Sequence, residues 1–299
     1  MQKRDIYILT SDYYQSMLKS ILKVTDLVKV KFTQQRFPNE ELYIKLQQPV
    51  AKHKCIALGT LNPPDDNLLS FLLLCHTLKK EKATRLTALI PYLAYSRHDK
   101  NEPGKSHTIA FIANILSAAG VDRVVTVDIH NPDSIKLFPM PLESLPTTNL
   151  FAQLIKTNSM RDAMIVSPDE GAIERCKAVA KAAGIKRSIA HFKKTRNEKG
   201  ITLGKFTGVI SESAIVIDDM IDTGGTLISC CKRLLADGVK DITIMVTHGL
   251  FTGNKWKQLW KLGVRKIYCT NSIPLPKHAR DKRIVVLSIV PLLKNYINA

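Results

Sequence analysis

Residues 215–227 read IVIDDMIDTGGTL, an apolar run followed by two carboxylates and then by a short loop of Asp, Thr and Gly. The nearly continuous run of β-branched residues predicts a parallel strand that is buried on both faces. Such a strand delivers Asp218 and Asp219 to its carboxyl end, which is the edge of an open α/β sheet where ligands bind. This stretch therefore predicts both an α/β fold and a binding site.

The loop that follows the strand has the composition of a phosphate-binding turn. Gly224 and Gly225 allow the backbone to approach an anion closely. Thr223, Thr226 and the N–H groups that open the next helix can donate hydrogen bonds to phosphate oxygens. The two preceding carboxylates are suited instead to ribose hydroxyls or to a divalent cation beside that phosphate. An acidic turn with a glycine cap is the alternative, but the order and spacing match a sugar and its phosphate.

Short apolar strands alternate with helical patterns along the rest of the chain. The other predicted strands are 6–9, 55–58, 87–90, 124–127, 163–166, 242–246 and 283–287. This alternation is typical of α/β sheet proteins.

An internal echo indicates two copies of one α/β unit. AAGVDRVVTVDIHN and ADGVKDITIMVTHG each place a glycine ten positions before a histidine, Gly120 before His130 and Gly238 before His248. Between the two copies, PMPLESLPTTN contains three prolines, which interrupt regular structure. We therefore place a domain boundary near residue 147, which gives domains of 1–147 and 148–299.

Length and composition limit the class of protein. The chain has 299 residues, of which 45% are hydrophobic, and this size suggests about two domains. We see no signal peptide and no apolar stretch long enough to span a bilayer, so we expect a cytoplasmic protein without a membrane partner. The six cysteines lack CxxC spacing, and this favours buried reduced thiols over disulfides or a zinc site.

The net charge of +18 raises the alternative of a nucleic-acid-binding protein. However, the basic residues are scattered, and no helix-turn-helix, zinc-finger or RNP signature occurs. Solvated charged faces, together with a need to attract phosphorylated metabolites, explain the charge better, so we expect no nucleic-acid partner.

Eight segments occur in the order that is seen in one enzyme family. They are RFPNEELYIKL, IPYLAYSRHDK, VDIHNPDSIKLF, VSPDEGAIER, KKTR, VIDDMIDTGGTL, CTNSIPLP and VLSIVPLL. In this order, and over essentially the whole chain, the sequence resembles the ribose-phosphate pyrophosphokinases, also called phosphoribosyl-diphosphate synthetases. Phosphoribosyltransferases share only the loop of the second half, so the segments of the first half distinguish the two families.

The resemblance implies two similar phosphoribosyltransferase-like domains, each a mainly parallel sheet flanked by helices. The N-terminal domain would bind ATP and the C-terminal domain ribose 5-phosphate. The implied reaction is Mg²⁺-dependent transfer of the β,γ-diphosphoryl group of ATP to the 1-hydroxyl of ribose 5-phosphate, which yields 5-phosphoribosyl 1-diphosphate and AMP. Members of the family form homo-oligomers, often hexamers built from dimers, so we expect a homo-oligomer.

The same resemblance implies roles for individual residues. The ATP-binding residues would be Phe37, Asn39, Glu41, Arg97 and His98, the last at a position where the family usually has glutamine. The ribose 5-phosphate site would comprise Asp218, Asp219, Asp222, Thr223, Gly224, Gly225 and Thr226. The metal ligands would be His130 and Asp169, with Asp128 as a supporting residue on the same strand face, and the catalytic cations of a mobile covering loop would be Lys194 and Arg196.

The residues alone leave alternatives open. Because Mg²⁺ prefers oxygen ligands, the residues alone favour His130 as a core histidine whose ring is satisfied by the backbone. HFKKTRNEKG reads as a solvated hairpin tip, and Lys193 is a second candidate for the role of Lys194. For the whole chain, the alternative is a catalytically silent regulatory homologue, which we would expect to lose these loop cations or metal ligands.

Overall fold

The computed structural model describes the backbone of residues 6–197, 200–207 and 210–298, and the side chains of residues 6–192 and 210–298. The chain divides into two compact units. Unit 1 comprises Met1–Leu145 together with Val290–Ala299, and unit 2 comprises Pro146–Ile289. The assignment of one domain to ATP and the other to ribose 5-phosphate stays a prediction.

Helices and strands alternate through the described ranges. The helices are α1 (Gln15–Leu22), α2 (Asp66–Lys80), α3 (Thr108–Ala118), α4 (Thr148–Thr157), α5 (Ile173–Ala183), α6 (Gly225–Ala236) and α7 (Val290–Asn298). The strands of unit 1 are β1 (Ile6–Thr10), β2 (Val28–Lys29), β3 (Phe32–Arg36), β4 (Leu42–Leu46), β5 (Lys54–Leu58), β6 (Arg85–Leu89), β7 (Arg123–Val127) and β8 (Leu142–Leu145). Those of unit 2 are β9 (Met164–Ser167), β10 (Ala190–Asn197), β11 (Gly200–Thr207), β12 (Ser213–Ile221), β13 (Asp241–Gly249), β14 (Val264–Thr270) and β15 (Ile284–Leu287).

Unit 1 contains a parallel sheet and a separate hairpin. The sheet has six strands in the order β2-β1-β5-β6-β7-β8, and every neighbouring pair is parallel. Strands β3 and β4 form an antiparallel hairpin outside this sheet. The loops that follow β6 and β7 therefore emerge at one edge of the sheet, the carboxyl edge.

Unit 2 contains a seven-stranded sheet in the order β11-β10-β9-β12-β13-β14-β15. All of its neighbouring strands are parallel except β10 and β11, which form an antiparallel pair at one edge. The predicted α/β class, with mainly parallel sheets flanked by helices, is confirmed.

The sheet of unit 2 is buried on both faces, as the apolar run at 214–217 predicts. Ala214 and Val216 of β12 belong to a core cluster that includes side chains of α6, whereas Ile215 and Ile217 belong to a second cluster with side chains of α4 and α5. Each of these four residues is at most 2% exposed. Alternation along one strand thus packs helices against both faces of the sheet.

Strand β12 continues beyond the point where the sequence predicts its end. It runs through both aspartates to Ile221, because β13 supplies register partners for Asp218, Met220 and Ile221. The other neighbour, β9, pairs with β12 only as far as Val216. The two aspartates therefore lie on strand backbone that is hydrogen-bonded on the β13 side and extends past the last residue paired with β9.

The internal echo has a structural counterpart at its glycines. Gly120 and Gly238 follow α3 and α6 with φ angles of 86° and 92°, the left-handed region that ends helices. Their histidines differ, since His248 is buried within β13 whereas His130 is exposed in a loop. Strand β7 ends at Val127, and Asp128 has a φ of 42°, so the expectation that Asp128 and His130 share a strand face is wrong.

The six cysteines are all buried and unpaired, in agreement with the expectation of reduced thiols. Among the helices of the described ranges, none combines the length and apolar character that crossing a membrane requires.

Candidate functional site

Two neighbouring carboxylates occupy the carboxyl end of β12. The backbone N–H of Asp219 donates to Oδ1 of Asp218 at 2.9 Å, and this bond orients the first carboxylate. Asp219 is 5% exposed and Asp218 is half-buried. Both carboxylates are thus partly withdrawn from water, which strengthens their interaction with any cation or donor that approaches.

The environment of Asp218 holds its pKa well above the ordinary value of 3.8. Burial is the main cause, and the charges of Asp219 and Asp169 add to it. The Asp219 N–H and the charge of Arg175 act in the opposite direction but do not offset the rise in pKa. A partly buried group of mutually repelling carboxylates is an environment that a divalent cation would stabilise.

Asp169 lies in the turn that leads from β9 into α5. Its carboxylate accepts a hydrogen bond from the N–H of Gly171 at 3.0 Å and so caps the short 3₁₀ helix Glu170–Ala172. The hydroxyl of Ser167 donates to the carbonyl of Asp169 at 2.6 Å. The predicted metal ligand Asp169 is therefore fixed at the same carboxyl edge as Asp218.

The loop 222–226 bends at a glycine that no other residue could replace without strain. Gly224 has a φ of 84°, and a Cβ at this position would lie 3.0 Å from both Cα and Cβ of Trp256. Helix α6 begins at the next residue, Gly225, where a Cβ would meet nothing within 4 Å. The N–H groups of the first helical turn have no acceptor within the helix, which makes this turn suited to an anion.

The structure brings the predicted ribose 5-phosphate residues together. All seven lie on the end of β12, on the following loop or on the first turn of α6, namely Asp218, Asp219, Asp222, Thr223, Gly224, Gly225 and Thr226. The two threonines of this set are exposed, and Asp222 is half-buried. A carboxylate-rich strand end and a hydroxyl-rich helix start thus lie side by side.

Arg175 is a candidate that the sequence analysis did not identify. It lies on α5, and its charge lowers the pKa of Asp218. Its Nε is buried and has no hydrogen-bond partner among the described residues. The segment VSPDEGAIER ends on this arginine. Its position six residues after the predicted metal ligand Asp169 was the signal in the sequence that pointed to a cation near the carboxylates.

A buried hydroxyl network supports the neighbouring strands. Nδ1 of His248 lies 2.8 Å from Oγ of Ser272, and the hydroxyl of Ser272 also donates to the carbonyl of Thr247 at 3.1 Å. Oγ1 of Thr247 lies 2.9 Å from Oγ1 of Thr147, just before α4. These contacts fix the ends of β13 and β14 and the start of α4, and with them the strand that pairs with the end of β12.

In unit 1, the predicted ATP-binding residues Phe37, Asn39 and Glu41 form the turn of the β3–β4 hairpin. The N–H of Phe37 donates to the carbonyl of Glu41 at 2.9 Å, and Oδ1 of Asn39 accepts from the N–H of Glu41 at 3.3 Å. The ring of Phe37 is 50% exposed and stacks on Tyr43, with ring centroids 4.7 Å apart. This turn presents an aromatic face to solvent.

Arg97, His98 and His130 lie in two adjacent loops at the carboxyl edge of the unit 1 sheet. Asp99, in the loop after β6, accepts a hydrogen bond from the side-chain amide of Asn131, in the loop after β7. This bond joins the two loops within two residues of each predicted site residue. The predicted ATP-binding residues Arg97 and His98 and the predicted metal ligand His130 are all exposed there.

The side chains of the predicted catalytic residues Lys194 and Arg196 lie outside the described residues. Their backbone belongs to β10, which pairs antiparallel with β11 and brings Lys194 opposite Leu203.

Within the described ranges, no three His, Cys, Asp or Glu side chains converge on a preformed metal cage. Magnesium is commonly bound through one or two carboxylates together with substrate phosphates and water, so an open carboxylate group fits its requirements. Asp169 and the pair on β12 provide such oxygen donors in unit 2.

Two family models match most of the chain. The N-terminal domain of ribose phosphate pyrophosphokinase matches residues 6–120, and the phosphoribosyl synthetase-associated domain matches residues 168–298.

Individual relatives agree with these models. A ribose-phosphate pyrophosphokinase of Gloeobacter violaceus is 32% identical over 260 residues, which cover 86% of this chain and 78% of the relative. The corresponding protein of Campylobacter jejuni is 30% identical over 88% of this chain and 85% of its own length. The crystal structure of phosphoribosylpyrophosphate synthetase from Mycobacterium smegmatis matches with a TM-score of 0.90 at 29% identity, over 99% of this chain and 98% of that one.

Proposed function

The chain belongs to the ribose-phosphate pyrophosphokinase family, and from that premise we propose how its residues serve the reaction. It is a transferase of nucleotide biosynthesis that moves the β,γ-diphosphoryl group of ATP to the 1-hydroxyl of ribose 5-phosphate. The products are 5-phosphoribosyl 1-diphosphate and AMP. Enzymes of this family generally use a divalent metal.

The observation that carries the assignment of the sugar site is the geometry of residues 218–226. Asp218 and Asp219 accept hydrogen bonds from the ribose hydroxyls, because an ionised carboxylate accepts hydrogen bonds and cannot donate them. The loop from Asp222 to Thr226 surrounds the 5-phosphate with backbone N–H and hydroxyl donors at the start of α6. Both halves of the substrate are thereby held by one continuous segment, which fixes the direction of the 1-hydroxyl.

The ATP site is supported by the hairpin turn and the linked loops of unit 1. Phe37 supplies an exposed ring that can stack on adenine, and Asn39 and Glu41 beside it can bond to the base edge or the ribose. Arg97 provides a planar cation for the phosphates. His98 can donate to the nucleotide from either ring nitrogen, although it has a shorter reach than the glutamine usual in the family.

We propose that the metal is Mg²⁺. The family resemblance assigns Asp169 and His130 as its protein ligands. When bound, Mg²⁺ would neutralise the triphosphate and so reduce its repulsion of the attacking hydroxyl. The carboxylate group around Asp218 supports this assignment, because the charges of Asp219 and Asp169 raise its pKa and would be balanced by a cation.

Lys194 and Arg196 are assigned to the transferring diphosphoryl group. Cationic donors at this group stabilise charge that develops on its oxygens in the transition state. A covering segment that carries them would also exclude water, so that the sugar hydroxyl competes successfully with hydrolysis. The motif KKTR, in its place between the VSPDEGAIER and VIDDMIDTGGTL segments, supports this role.

We also propose that the protein is cytoplasmic and forms homo-oligomers that are built from dimers, with the hexamer as one such assembly. The family resemblance supports both statements. Light scattering of the purified chain would test the assembly, and a monomer at micromolar concentration would contradict it.

The decisive experiment incubates the protein with ATP, Mg²⁺ and ribose 5-phosphate and follows AMP. We expect AMP to appear only when the sugar is present, in a 1:1 ratio with phosphoribosyl diphosphate. Release of ADP would indicate an ordinary kinase, and the absence of any product would indicate the catalytically silent homologue. A control with Asp218→Ala, which lacks the proposed acceptor of the ribose hydroxyls, should lose the AMP signal.

A further inference from the structure

Three neighbouring strands of the unit 1 sheet each begin with a basic residue. Strands β5, β6 and β7 start at Lys54, Arg85 and Arg123. Because the strands are parallel, these residues lie at the amino edge of the sheet, and Lys54 is the register partner of Arg85. The proposed ATP-binding loops lie at the opposite, carboxyl edge. The function proposed above therefore does not use these cations.

The three cations line one cavity. It has a volume of about 350 Å³ and is also lined by Glu143, by Tyr296 of α7 and by apolar side chains that include Ile297. A concave site of this volume falls at the lower end of the range for small-molecule pockets. It is too small to follow the backbone of a nucleic acid over several nucleotides.

The charges in this cavity are not balanced. Three cations face one carboxylate, that of Glu143, whose Oε2 lies 3.8 Å from Nη1 of Arg123. Among the described residues, Lys54 and Arg85 have no ion pair. Like charges on directly opposite strand residues destabilise a sheet, so the pairing of Lys54 with Arg85 favours the presence of an anion.

Arg123 is held in place for such a role. Its Nη1 donates to the hydroxyl of Tyr296 at 3.4 Å, and this bond is the main cause of a raised pKa, so the guanidinium stays charged. Its Nε is buried and has no hydrogen-bond partner in the described ranges. The guanidinium therefore keeps unused donor capacity beside the cavity.

We propose that this cavity binds a small phosphorylated anion that carries at least two negative charges, such as a diphosphate group. Lys54, Arg85 and Arg123 would each donate to its oxygens, and phosphate oxygens suit the planar donors of arginine. Because Tyr296 contacts Arg123, occupation of the site would also attach α7 more firmly to the sheet. The site is separate from the one that binds the substrates.

The test follows the reactivity of Lys54 in the full chain, because pyrophosphate would also bind at the substrate site. Lys54 is exposed, so its amine reacts with an acetylating reagent, and mass spectrometry of peptides gives the rate. With pyrophosphate at ten times its Kd, we expect acetylation of Lys54 to slow about tenfold, since only about one-tenth of the sites stay free. Lys80, exposed on α2 outside the cavity, serves as the internal control and should not change.

Two variants locate the effect. Arg85→Gln removes one cation without introducing a negative charge, and it should raise the Kd for pyrophosphate about tenfold or more, the usual effect of losing a charged hydrogen bond. At the same pyrophosphate concentration, the slowing of Lys54 acetylation should then fall from about tenfold to about twofold or less. Lys80→Gln carries the same charge change elsewhere and should keep the protection. Both variants should release AMP at the wild-type rate, because neither residue belongs to the proposed substrate sites.

Three outcomes would overturn the proposal. They are equal acetylation of Lys54 with and without pyrophosphate, full protection in Arg85→Gln, and protection by a single-stranded oligonucleotide but not by pyrophosphate. Citrate at equal ionic strength distinguishes the chemistry of the anion, and stronger protection by citrate would contradict a phosphate site.

Discussion

The backbone N–H of Asp219 donates to the carboxylate of Asp218, so the second aspartate orients the first. This bond favours the ionised form of Asp218, yet burial and the two neighbouring carboxylates outweigh it and raise the pKa. The folded protein alone thus disfavours the charged form of Asp218. Such a cost is typical of residues that are selected for binding rather than for stability.

The first prediction concerns the stability of Asp218→Asn. The pKa of Asp218 in the folded state lies above the ordinary value of 3.8. Asp218 therefore stabilises the folded state fully below pH 3.8, and this stabilisation is lost as pH rises through the folded-state pKa. The asparagine oxygen can still accept the N–H of Asp219 but carries no charge. We expect a higher melting temperature than wild type at pH 7 and a difference that shrinks as pH falls.

The control for this prediction is Asp162→Asn, in which the altered side chain is 99% exposed and should leave the melting temperature unchanged. In the AMP assay, Asp218→Asn should lower kcat/KM for ribose 5-phosphate about 100-fold. A variant that is both less stable at pH 7 and fully active would contradict the role of this carboxylate.

The second prediction separates the two glycines of the loop. Gly224→Ala forces a residue with a side chain to a φ of 84° and places its Cβ against Trp256. The free energy of unfolding should therefore fall by about 1–3 kcal/mol. Gly225→Ala meets open space and should leave the free energy of unfolding within about 1 kcal/mol of wild type. Denaturant unfolding measures both values, and equal losses in the two variants would show that the contact with Trp256 has no effect.

The third prediction concerns Phe37, whose exposed ring should serve ATP rather than the core. Phe37→Ala should raise KM for ATP about tenfold, because it removes one aromatic stacking contact with adenine. The free energy of unfolding should change little, since the ring is half exposed. Phe111→Ala is the matched control, because Phe111 is 59% exposed on α3 of the same unit. Steady-state kinetics with varied ATP would measure the difference, and equal KM values for the two variants would exclude adenine stacking on Phe37.

The fourth prediction concerns Lys194. If this lysine acts on the diphosphoryl group only in the transition state, Lys194→Ala should lower kcat by about 100- to 1,000-fold and leave KM for both substrates nearly unchanged. Lys193→Ala, one position away, should retain most of the activity. A reversed pattern would transfer the role to Lys193, and unchanged turnover in both variants would remove this segment from catalysis.

Local patterns in the sequence predicted the parts of the fold that depend on nearest neighbours. The β-branched run at 214–217 predicted a strand buried on both faces, since only a sheet with helices on both sides can bury every residue. The glycine echo predicted two copies of one α/β unit, and Gly120 and Gly238 adopt the same left-handed conformation after α3 and α6. The residues of the phosphate loop are likewise contiguous, so their proximity required no tertiary information.

Features that depend on distant partners could not be read from the sequence. Strand β12 extends to Ile221 because β13 offers partners at His248 and Gly249, and a local pattern contains no record of that register. Arg175 influences Asp218 only because α5 packs against β9 and β12, where the thiol of Cys176 donates to the carbonyl of Ile217 at 3.5 Å. Both depend on long-range packing rather than on composition.

The assignment of α7 to the first unit means that the polypeptide leaves its starting unit and later returns to it. Helix α7 packs near α1, and its Val290 and Leu293 are buried. A cut near residue 147 would therefore not yield two self-sufficient halves. The N-terminal fragment would lack α7, which contributes buried side chains to unit 1. The C-terminal fragment would carry α7 with its apolar side chains exposed to solvent. A fragment intended to fold as unit 1 alone should therefore join residues 290–299 to residues 1–145.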